Sequence, residues 1–191
     1  MQIHRKTKVL YTLLLIIIML FSLCACTHKN PTLKVLSVSE KYSIKEMYNL
    51  AEDYVTTYIG DNYELFKLSM TLDKTTGEDK AEFIYTKRTK IFIDVCFVRF
   101  NISEGEISSS MQSEAQRLYG RDIIVDVPNW TVDTSELLQT TDFSWTRAEI
   151  ETSFNYNVVK TVRITFYKDD YKFYICELNP VTKEVIGEIF G

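Results

Sequence analysis

The apolar positions change period along the chain, and the changes mark its elements. Apolar side chains fall at 44, 47, 48, 51, 54, 55, 58 and 59, the stripe of an amphipathic helix. Ser43 and Glu46 form an S-x-x-E capping box in front of it, with Tyr42 and Met47 at the staple positions. Gly60 supplies the stop. From Glu64 the period becomes two. In "YELFKLSMTL" Phe66, Leu68, Met70 and Leu72 are expected on one face and Lys67, Ser69 and Thr71 on the other. "DKTTGED" is turn chemistry, "KAEFIYTKR" resumes the alternation, and "KIFIDVCFVRF" is apolar enough for a strand buried on much of both faces. "NISEGEI" closes it with a turn, so the first half reads helix, strand, strand, strand.

The second half is less regular. "SSSMQSEAQRLYG" (108–120) predicts a helix with Met111, Ala115 and Leu118 on one face and Gly120 as its stop. "DIIVDVPNW" reads as a short strand or extended connector ended at Pro128. Asp133 and Glu136 make a second cap, starting a short helix through about Thr140. "WTRAEIETSF" fits a helix capped at Thr146 or a strand, and the alternation of Ala148, Ile150, Thr152 and Phe154 favours the strand. "VVKTVRITFYKDDYKFYICEL" is a hairpin turning at Lys168-Asp169-Asp170. The expected fold class is α+β, antiparallel sheet packed by one or two helices.

"VRFNISEGEI" (98–107) and "CELNPVTKEV" (176–185) align without gaps, Asn101 on Asn179 and Glu106 on Glu184. This suggests a tandem α-β-β-β duplication, with units 41–107 and 133–191 joined by a connector over 108–132. The competing reading is that two hairpins use similar turn residues.

The N-terminus is different in kind. Arg5, Lys6 and Lys8 precede a run from Val9 to Leu23 that is almost wholly apolar. The run is shorter than the roughly 20 residues that span a bilayer and has the length of a signal-peptide core. Leu23-Cys24-Ala25-Cys26 follows. It resembles the lipobox of bacterial lipoproteins, with leucine at −3, a small residue at −1 and cysteine at +1. The resemblance implies that residues 1–25 are a signal peptide and that the Cys26 thiol receives a diacylglycerol. Cys24, at −2, is an unusual occupant. An uncleaved signal anchor and an ordinary secretory signal are the alternatives. Two acyl chains suffice for stable attachment, each buried methylene adding about 0.8 kcal/mol. Residues 26–40 then read as a lipidated tether, in which "TLKVLSV" also fits a short first strand.

Composition narrows the function mainly by exclusion. The net charge is −4 over 191 residues, and falls to −7 without residues 1–25, which hold three bases and no acid. An acidic body is a poor match for nucleic acid. The two histidines, His4 and His28, both precede the folded body. Histidine-dependent nucleophilic catalysis and histidine zinc sites are therefore not expected there. No phosphate loop, nucleophile elbow, dinucleotide fingerprint or EF-hand loop occurs. No catalytic residue, metal site or cofactor is assigned. Cys96 and Cys176 read as buried apolar thiols, with a disulfide as the alternative outside the cytoplasm. Glu149 and Glu151 would share a strand face, the minimal geometry of a carboxylate hydrolase, although an exposed acidic face explains them as well. Aromatic residues crowd the last third of the chain. Trp145, Tyr156, Tyr167 and Tyr171 are the candidates for a binding face.

The end of the chain, "FYICELNPVTKEVIG", is similar to the closing strand of PepSY-type domains. Asn179 stands where that family has Asp, Thr182 falls on its Thr, and Lys183 replaces its Gly. The resemblance covers about 45 residues. It implies a helix followed by an antiparallel sheet, and a role in binding or restraining proteases. Together these readings lead to an expectation. The chain would be a lipoprotein on the outer face of a cytoplasmic membrane, acting as a non-catalytic protein-binding or regulatory module of the envelope. The alternative is a small-ligand or glycan-binding lipoprotein that uses an aromatic face.

Overall fold

The structure, a computed structural model, describes residues 32–34, 43–90, 92–115, 124–154, 160–169 and 172–191. Nine antiparallel strands form one sheet in the order β1-β5-β4-β3-β2-β6-β7-β8-β9. They are β1 (Leu33–Lys34), β2 (Glu64–Asp73), β3 (Lys80–Arg88), β4 (Phe92–Asn101), β5 (Glu106–Ala115), β6 (Arg147–Phe154), β7 (Lys160–Tyr167), β8 (Phe173–Leu178) and β9 (Val185–Phe190). Among the described residues two α-helices, α1 (Ile44–Tyr54) and α2 (Thr134–Leu138), complete the α+β architecture.

The sheet buries mainly one face, although Ile93 and Val95 of β4 are fully buried at the opposite parity, as expected for this strand. Leu68, Met70, Phe83, Val98, Ile164 and Phe166 are each fully buried and pack with Ile44, Met47 and Ala51 of α1 in one cluster. The alternate positions carry the ions, as a one-sided antiparallel sheet requires. Burying about ten such side chains, at roughly 1.5–3 kcal/mol each, is what opposes the entropy of ordering the strands.

The helix starts meet at a shared carboxylate. Ser43 caps α1 by accepting from Glu46 N at 3.1 Å. Its hydroxyl donates to Asp133 Oδ2 at 2.8 Å, and Ile44 N donates to Asp133 Oδ1 at 2.8 Å. Asp133 also accepts from Thr134 N, while Glu136 Oε2 accepts from Asp133 N at 2.8 Å, the full capping box expected there. One acidic side chain thus serves two positive helix ends. At its other end α1 widens into a π-turn over Val55–Ile59 and stops at Gly60, whose φ of 130° suits glycine.

Two expectations need correction. Residues 108–115 are not helical. They lie within β5, paired along its whole length with β4, from Phe92↔Ala115 to Asn101↔Glu106. Five of its ten residues are serine or β-branched, and a complete ladder on β4 satisfies their backbone, so tertiary pairing overrides the helical spacing of Met111 and Ala115. The first half therefore has four long strands, not three. Phe66 is also not the inward residue. A bulge between Leu65 and Lys67 makes Phe66 the extra residue, and Leu65 is buried beside Tyr85 instead. The strand reading of 147–154 and the short first strand at Leu33–Lys34 both match.

Candidate functional site

The two faces and two edges of the sheet differ in what they offer. On the open face, Lys67 Nζ lies 3.5 Å from Glu151, Arg163 3.9 Å from Glu151 and 3.5 Å from Glu177. This ladder crosses β2, β6, β7 and β8. Glu149 is met by Arg147 at 3.3 Å and accepts from Tyr167 Oη at 3.1 Å. Both carboxylates of the hydrolase reading are therefore matched by cations on a solvated surface, where such pairs contribute at most about 1 kcal/mol each. In the first half Arg99 is fixed by Glu82 at 2.6 Å and by Ser110 Oγ at 2.7 Å. A shallow depression of about 390 Å³ beside it is lined by Ser69, Thr71 and Ser108.

The predicted aromatic face is divided, with Tyr167 on β7 and Trp145 in the segment before β6. Tyr167 points to the open face, under the Arg147 guanidinium at 4.2 Å from its ring. Burial, then the Glu149 charge, raises its pKa. Trp145 turns to the helix side and packs on Phe166 at 6.0 Å, with the Lys74 ammonium 3.3 Å from its centroid. These two side chains do not come together. Tyr156, Tyr171 and Cys26 lie outside the described residues.

What the aromatics do form is a stripe across the second half. Trp145, Phe166, Tyr174 and Phe190 follow one another at centroid spacings of 6.0, 6.0 and 4.6 Å, and Phe143 flanks Tyr174 at 6.2 Å. The stripe runs from half-buried Trp145 through the buried Phe166 and Tyr174 and emerges at the sheet edge, because Phe190 is on β9 and 72% exposed. Tyr174 Oη donates to Glu188, also on β9.

Strand β9 is itself the least covered part of the sheet. All six of its residues are exposed, four of them Val185, Ile186, Ile189 and Phe190. It pairs with β8 on one side and ends the strand order on the other. Edge strands usually carry lysine, proline or inward charges that prevent strand addition. The segment "VIGEIF" has no proline and no lysine, and one charge, Glu188, which Tyr174 holds. The sequence signal for it was present but short: apolar residues at both parities of a strand that closes the chain.

The thiols sit apart from this edge. Cys96 and Cys176 are both free and fully buried, on β4 and β8. Burial pushes the Cys96 thiol up to about 12 and raises that of Cys176. Neither is in an electropositive, exposed setting that would activate a nucleophile.

No family model matches the chain, and no curated protein matches it. Among solved structures, it is similar to a "putative lipoprotein" of Clostridium difficile 630, solved by crystallography. The TM-score is 0.54 at 9% sequence identity, covering 79% of this chain and 94% of the other. At that identity the similarity is one of fold.

Proposed function

We propose that the chain is an extracytoplasmic lipoprotein held at the membrane through lipidated Cys26, and that its body is a non-catalytic protein-binding module of the cell envelope. The observation that carries the binding role is the bare apolar edge at β9. An extended partner segment adding to that edge would gain main-chain hydrogen bonds, and its alternate side chains would meet Val185 and Phe190 on one face and Ile189 on the other. Exposed apolar residues grouped this way mark interaction sites more often than chance placement does. The lipid anchor is supported by Leu23-Cys24-Ala25-Cys26 and by the fold shared with a protein described as a putative lipoprotein. The PepSY-type resemblance of residues 173–187 points the partner search toward envelope proteases.

Two measurements test this reading. Cys26→Ser should abolish lipid labelling and leave the precursor uncut, while Cys24→Ser should do neither. A photo-crosslinking residue placed at Ile189 should capture a defined envelope protein, and one placed at Glu82 on the open face should not. Identical capture from both positions would sink the edge assignment.

A further inference from the structure

A second feature lies on the opposite half of the molecule and does not depend on β9. Between α1, the start of β2 and residues 124–126 is a cleft of about 420 Å³, lined by Tyr48, Glu52, Tyr63, Glu64, Val125 and Asp126 among others. That volume is in the range of small-ligand sites. Among the described residues its lining includes three carboxylates and two tyrosines, and no lysine, arginine or histidine.

The polar groups here are left incomplete. Glu52 is half-buried on α1, and burial raises its pKa, while the Tyr85 and Tyr48 hydroxyls that face it pull the other way. No lysine or arginine among the described residues pairs with it. Tyr85 is fully buried, and its hydroxyl lies beside the Glu52 carboxylate but outside hydrogen-bonding geometry, with no partner of its own. It is the one buried side-chain oxygen among the described residues without a hydrogen bond, and it meets the cleft through Glu52. Burial and the Glu52 and Asp126 charges push the Tyr48 phenol up to about 12, and burial and Asp94 push Tyr63 to about 12. Both rings therefore stay neutral, with electron-rich faces. One of them is already in use: Lys87 Nζ sits 5.4 Å from the Tyr63 centroid.

We propose that this cleft binds a small organic ammonium ion. Carboxylates accept its N–H groups, tyrosine faces attract its charge, and Leu65, Ile124 and Val125 cover its apolar body. A bare metal ion fits less well, because no three potential ligands converge among the described residues.

The test is calorimetric titration of the full chain in detergent micelles, with putrescine, butanediol and calcium chloride as probes. Putrescine should give a saturable heat and butanediol, its neutral isostere, none. Glu52→Gln should weaken putrescine about tenfold, the loss of one charge-assisted contact, and Tyr63→Leu should weaken it by a smaller factor. Circular dichroism checks that each variant is folded, and Asp126→Asn replaces any that is not. No saturable putrescine heat, equal affinity for butanediol, or unchanged affinity in folded Glu52→Gln would each overturn the proposal. Calcium binding that excludes putrescine would overturn it in favour of a metal site.

Discussion

The half-sheet β2–β5 and the half-sheet β6–β9 are laid out alike and finished differently. They meet at β2 and β6, paired from Ser69↔Glu151 to Asp73↔Arg147, and the strands then run outward in chain order on each side. The alignment that places Asn101 on Asn179 also lays β3, β4 and β5 over β7, β8 and β9. Yet α1 covers the first half, and its outer strand β5 is itself paired at Leu33↔Ile107 and Lys34↔Glu106. The second half has only the short α2 and residues 131–145 above it, and nothing described beyond β9. The difference shows how two similar frameworks divide labour. The half with the full helix gains a cleft at the helix end, and the half with the thin cover gains an open edge.

Several substitutions would break or sharpen this contrast. If the two halves share one core, Phe83→Ala in the first and Phe166→Ala in the second should each cost about 3–5 kcal/mol, both being fully buried. Urea unfolding followed by fluorescence and by circular dichroism should give one coincident transition for each. Separate transitions would mean that the halves are independent units. Next in size is Asp133→Ala, expected to cost about 1–2 kcal/mol, more than Ser43→Ala, because it strips partners from both helix starts.

The pH response should have opposite signs at two acids. Hydrogen bonding, foremost from Asp133 N, holds the Glu136 carboxyl below its usual value. Its contribution is present above the unfolded value, near 4.5, and is lost as pH falls through the lower folded one. Glu52 is raised, so its folded state is favoured at low pH and loses stability as pH rises from about 4.5 toward the folded value. The urea midpoint of Glu52→Gln at pH 7 should therefore equal or exceed that of the parent, even as amine binding falls. A clear loss of stability at pH 7 would show that the Glu52 charge is compensated. The smallest change in stability is expected at the edge. Ile189→Lys should shift stability within about 0.5 kcal/mol, since Ile189 is 58% exposed, while abolishing capture of a partner strand.

Much of this frame was legible from periodicity. The α1 stripe, the Asp133 cap and the alternation of β6 and β7 are local signals, and local signals survive folding. The misses are places where a distant partner decides. Only β4 makes 108–115 a strand, and only the register with β3 reveals that Phe66 is the bulged residue. The candidate sites were harder still. The parity of β7 puts Tyr167 on the open face, but Trp145 precedes β6 and packs on Phe166, a placement that strand alternation does not encode. The cleft at Glu52 joins residues from three separated segments, and no spacing in the sequence connects them. The edge at β9 is a property of strand order, which a linear pattern does not encode.

The seam between β2 and β6 has a consequence for the order of events. A chain that emerges from its N-terminus can complete β2–β5 and seat α1 before residue 147 exists. During that interval β2, central in the finished sheet, is an outer strand with Leu68, Met70 and Leu72 beside unpaired backbone groups. Asp133, which must meet the start of α1, arrives only partway through that interval. The newborn first half is therefore a template waiting for its own second half, and crowding or delay at that stage would expose it to the wrong strand. Quality control of this protein should act on β2, the strand that looks best protected once folding is done.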